Sequence, residues 1–142
     1  MKVKELFEKY CTKTEAEEYI CRGHYVTLDP ASEEELEQFR KNCRDHHVGK
    51  QIEDELAGYY TQAGSLFNYF RCDDPLLFDW WQDDEQRSIW LGCLDDDSFI
   101  YDDIHHRYAV GFAGSSDSGV YDSLSEMLQA YLKEGQENGW NE

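Results

Sequence analysis

The chain reads as an α+β fold: an antiparallel β meander of three to five strands, with helices packed on one face, N-terminal helices before it and a C-terminal helix after it. Three observations predict this. Capped amphipathic segments occupy the first sixty residues. Short β-branched and aromatic runs separated by hairpin-length polar turns follow from Ser88 to Phe112. The clearest helical stripe comes last, after Ser123. Such an order gives helices layered on an antiparallel sheet, with the other face or an edge left for solvent or a partner.

Each element has its own signal. Val3, Leu6, Phe7 and Tyr10 recur at helical spacing, and a second helical turn is expected after Thr14, where Glu17 stands at the capping-box position. Arg22-Gly23-His24 breaks it, and Tyr25, Val26 and Leu28 suit a short extended segment before Asp29-Pro30. Ser32 is an N-cap with Glu35 as its reciprocal partner, and Leu36, Phe39 and Cys43 form the stripe behind them. Val48, Ile52, Leu56, Tyr59 and Tyr60 share the face of a further helix, expected to stop near Ala63-Gly64. Leu66 to Phe70 reads as a strand, and Leu76 to Trp81 as strand or helix. The meander then runs through Ser88–Cys93, Ser98–Tyr101 and Tyr108–Phe112, followed by a Gly/Ser/Asp loop from Ala113 to Gly119. Ser123 caps the last helix with Glu126 as box partner. Leu124, Met127, Leu128, Tyr131 and Leu132 form its stripe, and Gly135 is its expected end. Residues 136–142 read as a frayed polar tail in which Trp140 alone has reason to dock.

The length of 142 residues suits one domain, 1–142, able to bury a core without metal or disulfide staples. Its ten Tyr, seven Phe and four Trp exclude an acidic disordered tail. No apolar run reaches a membrane span or a secretory leader, and five cysteines without a CxxC pair suit reduced thiols in a cytoplasm.

The net charge is −18, and it is lopsided. Residues 1–50 carry nine Lys/Arg against eleven Asp/Glu, a net of −2; residues 51–142 carry four against twenty, a net of −16. Such a field repels nucleic acid and anionic membrane and attracts basic protein. No specific function is expected of the first fifty residues.

Motif chemistry is sparse. Asp95-Asp96-Asp97 and Asp102-Asp103 lack the alternating ligands, glycine and bidentate glutamate of a calcium loop. His46-His47 and His105-His106 have no zinc-ligand partners at suitable spacing and read as solvated turns. No nucleophile motif is present, so no catalytic residue, metal or cofactor is assigned. What remains is a set of aromatics among carboxylates: Asp79, Trp80, Trp81, Asp83, Asp84 and Glu85, joined by Asp95, Asp96, Asp97, Asp102 and Asp103. Apolar anchors with a charged rim are the composition of a surface that recognises a basic partner.

Several segments, in order, resemble one family. Leu56 to Gly64 (LAGYYTQAG), Ile89-Trp90-Leu91-Gly92, Phe99-Ile100-Tyr101-Asp102, Tyr108-Ala109-Val110 and Leu124 to Leu132 resemble the SUKH superfamily of Smi/Knr-type domains over residues 30–135. Val48-Gly49-Lys50 stands where that family often has Leu-Pro. The resemblance implies a non-enzymatic immunity protein that neutralises a cognate, basic, nuclease-type secreted toxin. The alternatives are an acidic nucleic-acid mimic that inhibits a host DNA-binding protein, a carboxylate-dependent enzyme, and a regulatory scaffold domain. An acidic inhibitor suits a basic nuclease, because a protein that grips phosphate must be cationic and is steered to its inhibitor.

Overall fold

Ser32 and Ser123 cap helices in the computed structural model, which describes residues 1–67, 70–79, 81 and 85–142. Helix α1 (Val3–Tyr10) buries Val3, Phe7 and Tyr10 and packs on the C-terminal helix. Helix α2 (Glu33–Asp45) starts on a complete capping box: Ser32 Oγ accepts from the Glu35 N–H, and Glu35 returns the bond to the Ser32 N–H. Helix α3 (Lys50–Tyr60) buries Leu56, Ala57, Tyr59 and Tyr60 and lies against α2.

The segment after Thr14 is a hairpin and not a helical turn. Strands β1 (Thr12–Lys13), β2 (Tyr19–Cys21) and β3 (His24–Val26) form an antiparallel three-stranded sheet. The Thr14 hydroxyl accepts from the backbone N–H groups of Ala16 and Glu18. The hydroxyl that suggested a helix cap therefore stabilises a turn. Arg22 and Gly23 both take positive φ, at 50° and 80°, the requirement of the two-residue turn that matches strand twist.

The predicted meander forms as β4 (Ser88–Leu94), β5 (Asp97–Asp102) and β6 (Arg107–Phe112), and a short β7 (Gly119–Tyr121) adds a fourth antiparallel strand. Ile89, Leu91, Phe99, Tyr101, Tyr108 and Val110 join the core. Helix α4 (Leu124–Glu137) packs on β6 and β7, with Leu124, Met127, Leu128, Tyr131 and Leu132 buried. Ile100 and Ala109 lie at alternate positions, on the opposite face.

Two expectations are corrected and one open alternative is resolved. Among the described residues of the segment expected as a strand from Leu66 to Phe70, Leu66 forms an isolated parallel bridge with Gly92 and Phe67 has φ 58°, while Ser65 and Arg71 on either side form an isolated antiparallel bridge. A Cβ on Gly92 would stand 2.5 Å from the Leu66 carbonyl, so glycine admits this crossing. Residues Pro75–Phe78 form a 3-10 helix, started by Asp74 accepting from the Leu76 N–H. Helix α4 runs through Gly135 to Glu137, and Asn141 occupies the space beside that glycine.

The tail is docked. Asn141 is 2% exposed. Its amide Nδ2 donates to the carbonyls of Tyr10 and Leu132, both at 2.9 Å, and its Oδ1 accepts from the Arg22 N–H at 3.0 Å. The Asn141 carbonyl accepts from Thr12 N–H, and the Trp140 carbonyl from Gly23 N–H. Two residues thus tie α1, the three-stranded sheet and α4 together.

Candidate functional site: an acidic aromatic concavity

The β4–β5 turn places Asp95 and Asp96 in solvent, with Asp97 as the first residue of β5. The docked tail brings Trp140 beside them. Together with Arg22, Gly23 and Tyr131 they line a concavity of about 440 Å³. A second hollow of about 200 Å³ shares Arg22, Asp97 and Tyr131 and adds Val110, Ser118, Tyr121 and Glu134.

The floor of this region is one stacked cluster. The Arg22 guanidinium lies 3.6 Å from the Tyr131 ring centroid and 5.0 Å from that of Trp140, a cation–π arrangement. Arg22 Nη2 donates to the Tyr131 carbonyl at 2.9 Å and lies 3.6 Å from a Glu134 carboxylate oxygen. The Tyr131 hydroxyl donates to Asp97 at 2.8 Å. Burial, followed by this hydrogen bond to a carboxylate, pushes the Tyr131 pKa well above the ordinary phenol value, so the hydroxyl stays a donor.

The rim is acidic. Asp95 and Asp96 are exposed and make no ion pair among the described residues. Asp95, Asp96, Asp97 and Glu134 line the two hollows that share Arg22, and of these Glu134 pairs with it. Trp140, 46% exposed, and Phe112, 64% exposed and paired with Asp97 in the β5–β6 register, add apolar surface nearby.

The described residues among those expected to form one acidic face do not all sit together. Asp97 and Asp102 are the two ends of β5, separated by about 17 Å of strand. At the far end the carboxylates are internally matched. Asp102 bonds to His105 at 2.8 Å and lies 3.6 Å from Arg107, and Asp103 lies 3.7 Å from Arg87. Burial raises the Asp102 pKa, but bonds from His105 and the backbone N–H groups outweigh it and leave the pKa below the ordinary value. Burial dominates at Asp103 and leaves its pKa raised. Glu85 borders a hollow on this side with Asp102, His105 and Arg107. Trp81 is half-buried against the core, near His46 and with Arg87 over its ring, so it is not a free anchor. Asp79 is exposed after the 3-10 helix. Trp80, Asp83 and Asp84 lie outside the described residues. His46, expected in solvent, stacks on Phe78 at 4.8 Å.

Sequence reasoning missed Arg22, Tyr131 and Glu134 as site residues and saw Trp140 only as a docking side chain. Arg22 falls within the near-neutral segment expected to carry no function. Its pairing with Gly23 was the available signal, because that dipeptide between short apolar runs marks a turn that projects the arginine. Among the described residues, no three His, Cys, Asp or Glu side chains converge to hold a metal ion, and no helix is long and apolar enough to cross a membrane. Comparison of the chain with protein-family models, curated proteins and solved structures finds no match.

Proposed function

We propose that this chain is a SUKH-type immunity protein, which binds and neutralises a basic, nuclease-type toxin by contact and without chemistry of its own. The observation that carries this reading is the concavity at the β4–β5 turn, where unpaired Asp95 and Asp96 border the aromatic floor of Tyr131 and Trp140. Unpaired carboxylates beside a half-exposed tryptophan combine electrostatic steering with an apolar anchor. Arg22, stacked on Tyr131, is an internal example of the cation that this surface accommodates. The helix–meander–helix order supports the family resemblance, and the −18 net charge supports the sign of the partner.

The test is association kinetics with a basic, nuclease-type toxin domain that the chain captures, sought first in any reading frame adjacent to its own. Combining Asp95→Asn with Asp96→Asn is expected to slow association several-fold at low salt and flatten its salt dependence, with a smaller effect on dissociation. Trp140→Ala is expected to speed dissociation. Association rates equal to those of the unaltered chain would remove this surface from the proposal.

A further inference from the structure

The β1–β2 hairpin carries a cysteine pair that the binding surface does not use. Thr12 pairs with Ile20 and Lys13 with Tyr19. One step further along, the same register sets Cys11 opposite Cys21. Cys11 keeps extended angles, φ −121° and ψ 153°, so the strand conformation reaches it. The Thr14 N–H donates to the Glu18 carbonyl at 2.7 Å and closes the hairpin as a hydrogen-bonded pair. Bonded and non-bonded pairs alternate along an antiparallel ladder, which places Cys11 and Cys21 at a non-bonded position. There Cα atoms approach to about 4.5 Å, within the range of roughly 4.4–6.8 Å that a disulfide spans. Both side chains are buried. Interaction with the neighbouring Cys21 thiol, followed by burial, raises the Cys11 pKa.

We propose that Cys11 and Cys21 are a modification site, a cross-strand dithiol that is oxidised to a disulfide by exchange with a small-molecule disulfide such as glutathione disulfide. The first step falls to Cys11, the less completely buried of the two. It loses its proton and attacks one sulfur of the small disulfide, forming a mixed disulfide and releasing one thiolate, which takes up a proton. Cys21 then loses its proton and attacks the Cys11 sulfur, and the second small thiol leaves. Two protein thiols are oxidised and one small disulfide is reduced to two thiols. The pair sits between backbone groups that hold the tail: Tyr10 and Thr12 flank Cys11, Arg22 follows Cys21, and all three bond to Asn141. Oxidation therefore braces the grip on Asn141 and, through it, the position of Trp140.

The experiment equilibrates the full chain with excess glutathione disulfide, alkylates the remaining thiols and maps the peptides by mass. A second sample is refolded from denaturant in the same buffer, so that access to the buried thiols is not limiting. A Cys11–Cys21 linked peptide is expected in the refolded sample, reversible by dithiothreitol, with a rise in Tm of about 5–10 °C over the reduced form. Cys21→Ala should lose both the link and the Tm rise. Glutathione on the partly exposed Cys93 alone, or bridges that join other cysteines without a Cys11–Cys21 link, would overturn the proposal.

Discussion

Glu53 is an acid that the core holds charged. Its carboxylate is 2% exposed, with Arg40 at 2.7 Å and Lys50 at 3.0 Å. Burial raises its pKa, but the two cations outweigh burial and the net shift is downward. A buried ion pair adds little against an apolar replacement, but breaking one leaves an uncompensated charge. Arg40→Met is expected to cost about 3 kcal/mol in chemical denaturation, at the low end because Lys50 remains. Arg71 and Glu35 form a bidentate pair, Nε and Nη2 each 2.8 Å from a Glu35 oxygen. Arg71, followed by the Ser32 contacts against an opposing burial effect, lowers the Glu35 pKa to about 2. A depressed carboxylate pKa contributes stability above its unfolded value and loses it as pH falls through the folded one. That contribution should therefore be complete above about pH 5 and vanish between about pH 4.5 and 2. Glu35→Gln should be less stable at pH 7, and the difference from the unaltered chain should close in that window when unfolding is followed against pH.

The docked C-terminus is the element that connects most of the fold. Asn141 satisfies two buried carbonyls and one backbone N–H from three different segments. Asn141→Ala leaves these groups without the amide and should cost about 2–4 kcal/mol by denaturant unfolding. Hydrogen exchange at the Arg22 N–H should accelerate more than at the centre of α4, because only the former loses its acceptor. The elements legible in the sequence were those with local reasons to form. The Ser32–Glu35 box, the α4 stripe and the alternating runs of β4 to β6 needed no distant partner to be recognised. The β1–β2 hairpin was misread because a hydroxyl followed three residues later by glutamate caps a helix, while the same hydroxyl also serves a tight turn. Strand β7 was missed because three residues give too short a pattern, and pairing with β6 defines it.

Over the whole molecule the acidic excess is unevenly neutralised. Arg22, Arg40, Lys50, Arg71, Arg87 and Arg107 all engage carboxylates of the fold, and Asp102 and Asp103 are matched by such partners, while Asp95 and Asp96 are not. Self-repulsion of the remaining charge opposes folding and is screened by salt. The melting temperature is expected to rise between low salt and about 0.5 M salt, where the screening length falls to a few ångströms. A salt-independent melting curve would contradict that balance. The candidate site was half legible for the same reason. The aspartates of the β4–β5 turn were visible as unpaired charge in a hairpin. Their floor comes from Tyr131 and Trp140 together with Arg22, which lies over a hundred positions earlier in the chain.

The sequence by itself determined the α+β class, the capped helices, the three central strands and the acidic sign of the surface, because caps, periodicity and charge are properties of neighbouring residues. Only the tertiary structure decided which carboxylates remain free. Strand β5 carries Asp97 and Asp102 to opposite ends of the sheet, and Arg87 beside β4 and Arg107 on β6 neutralise one end. The tail amide of Asn141, invisible as a structural residue in a polar segment, sets Trp140 beside the other.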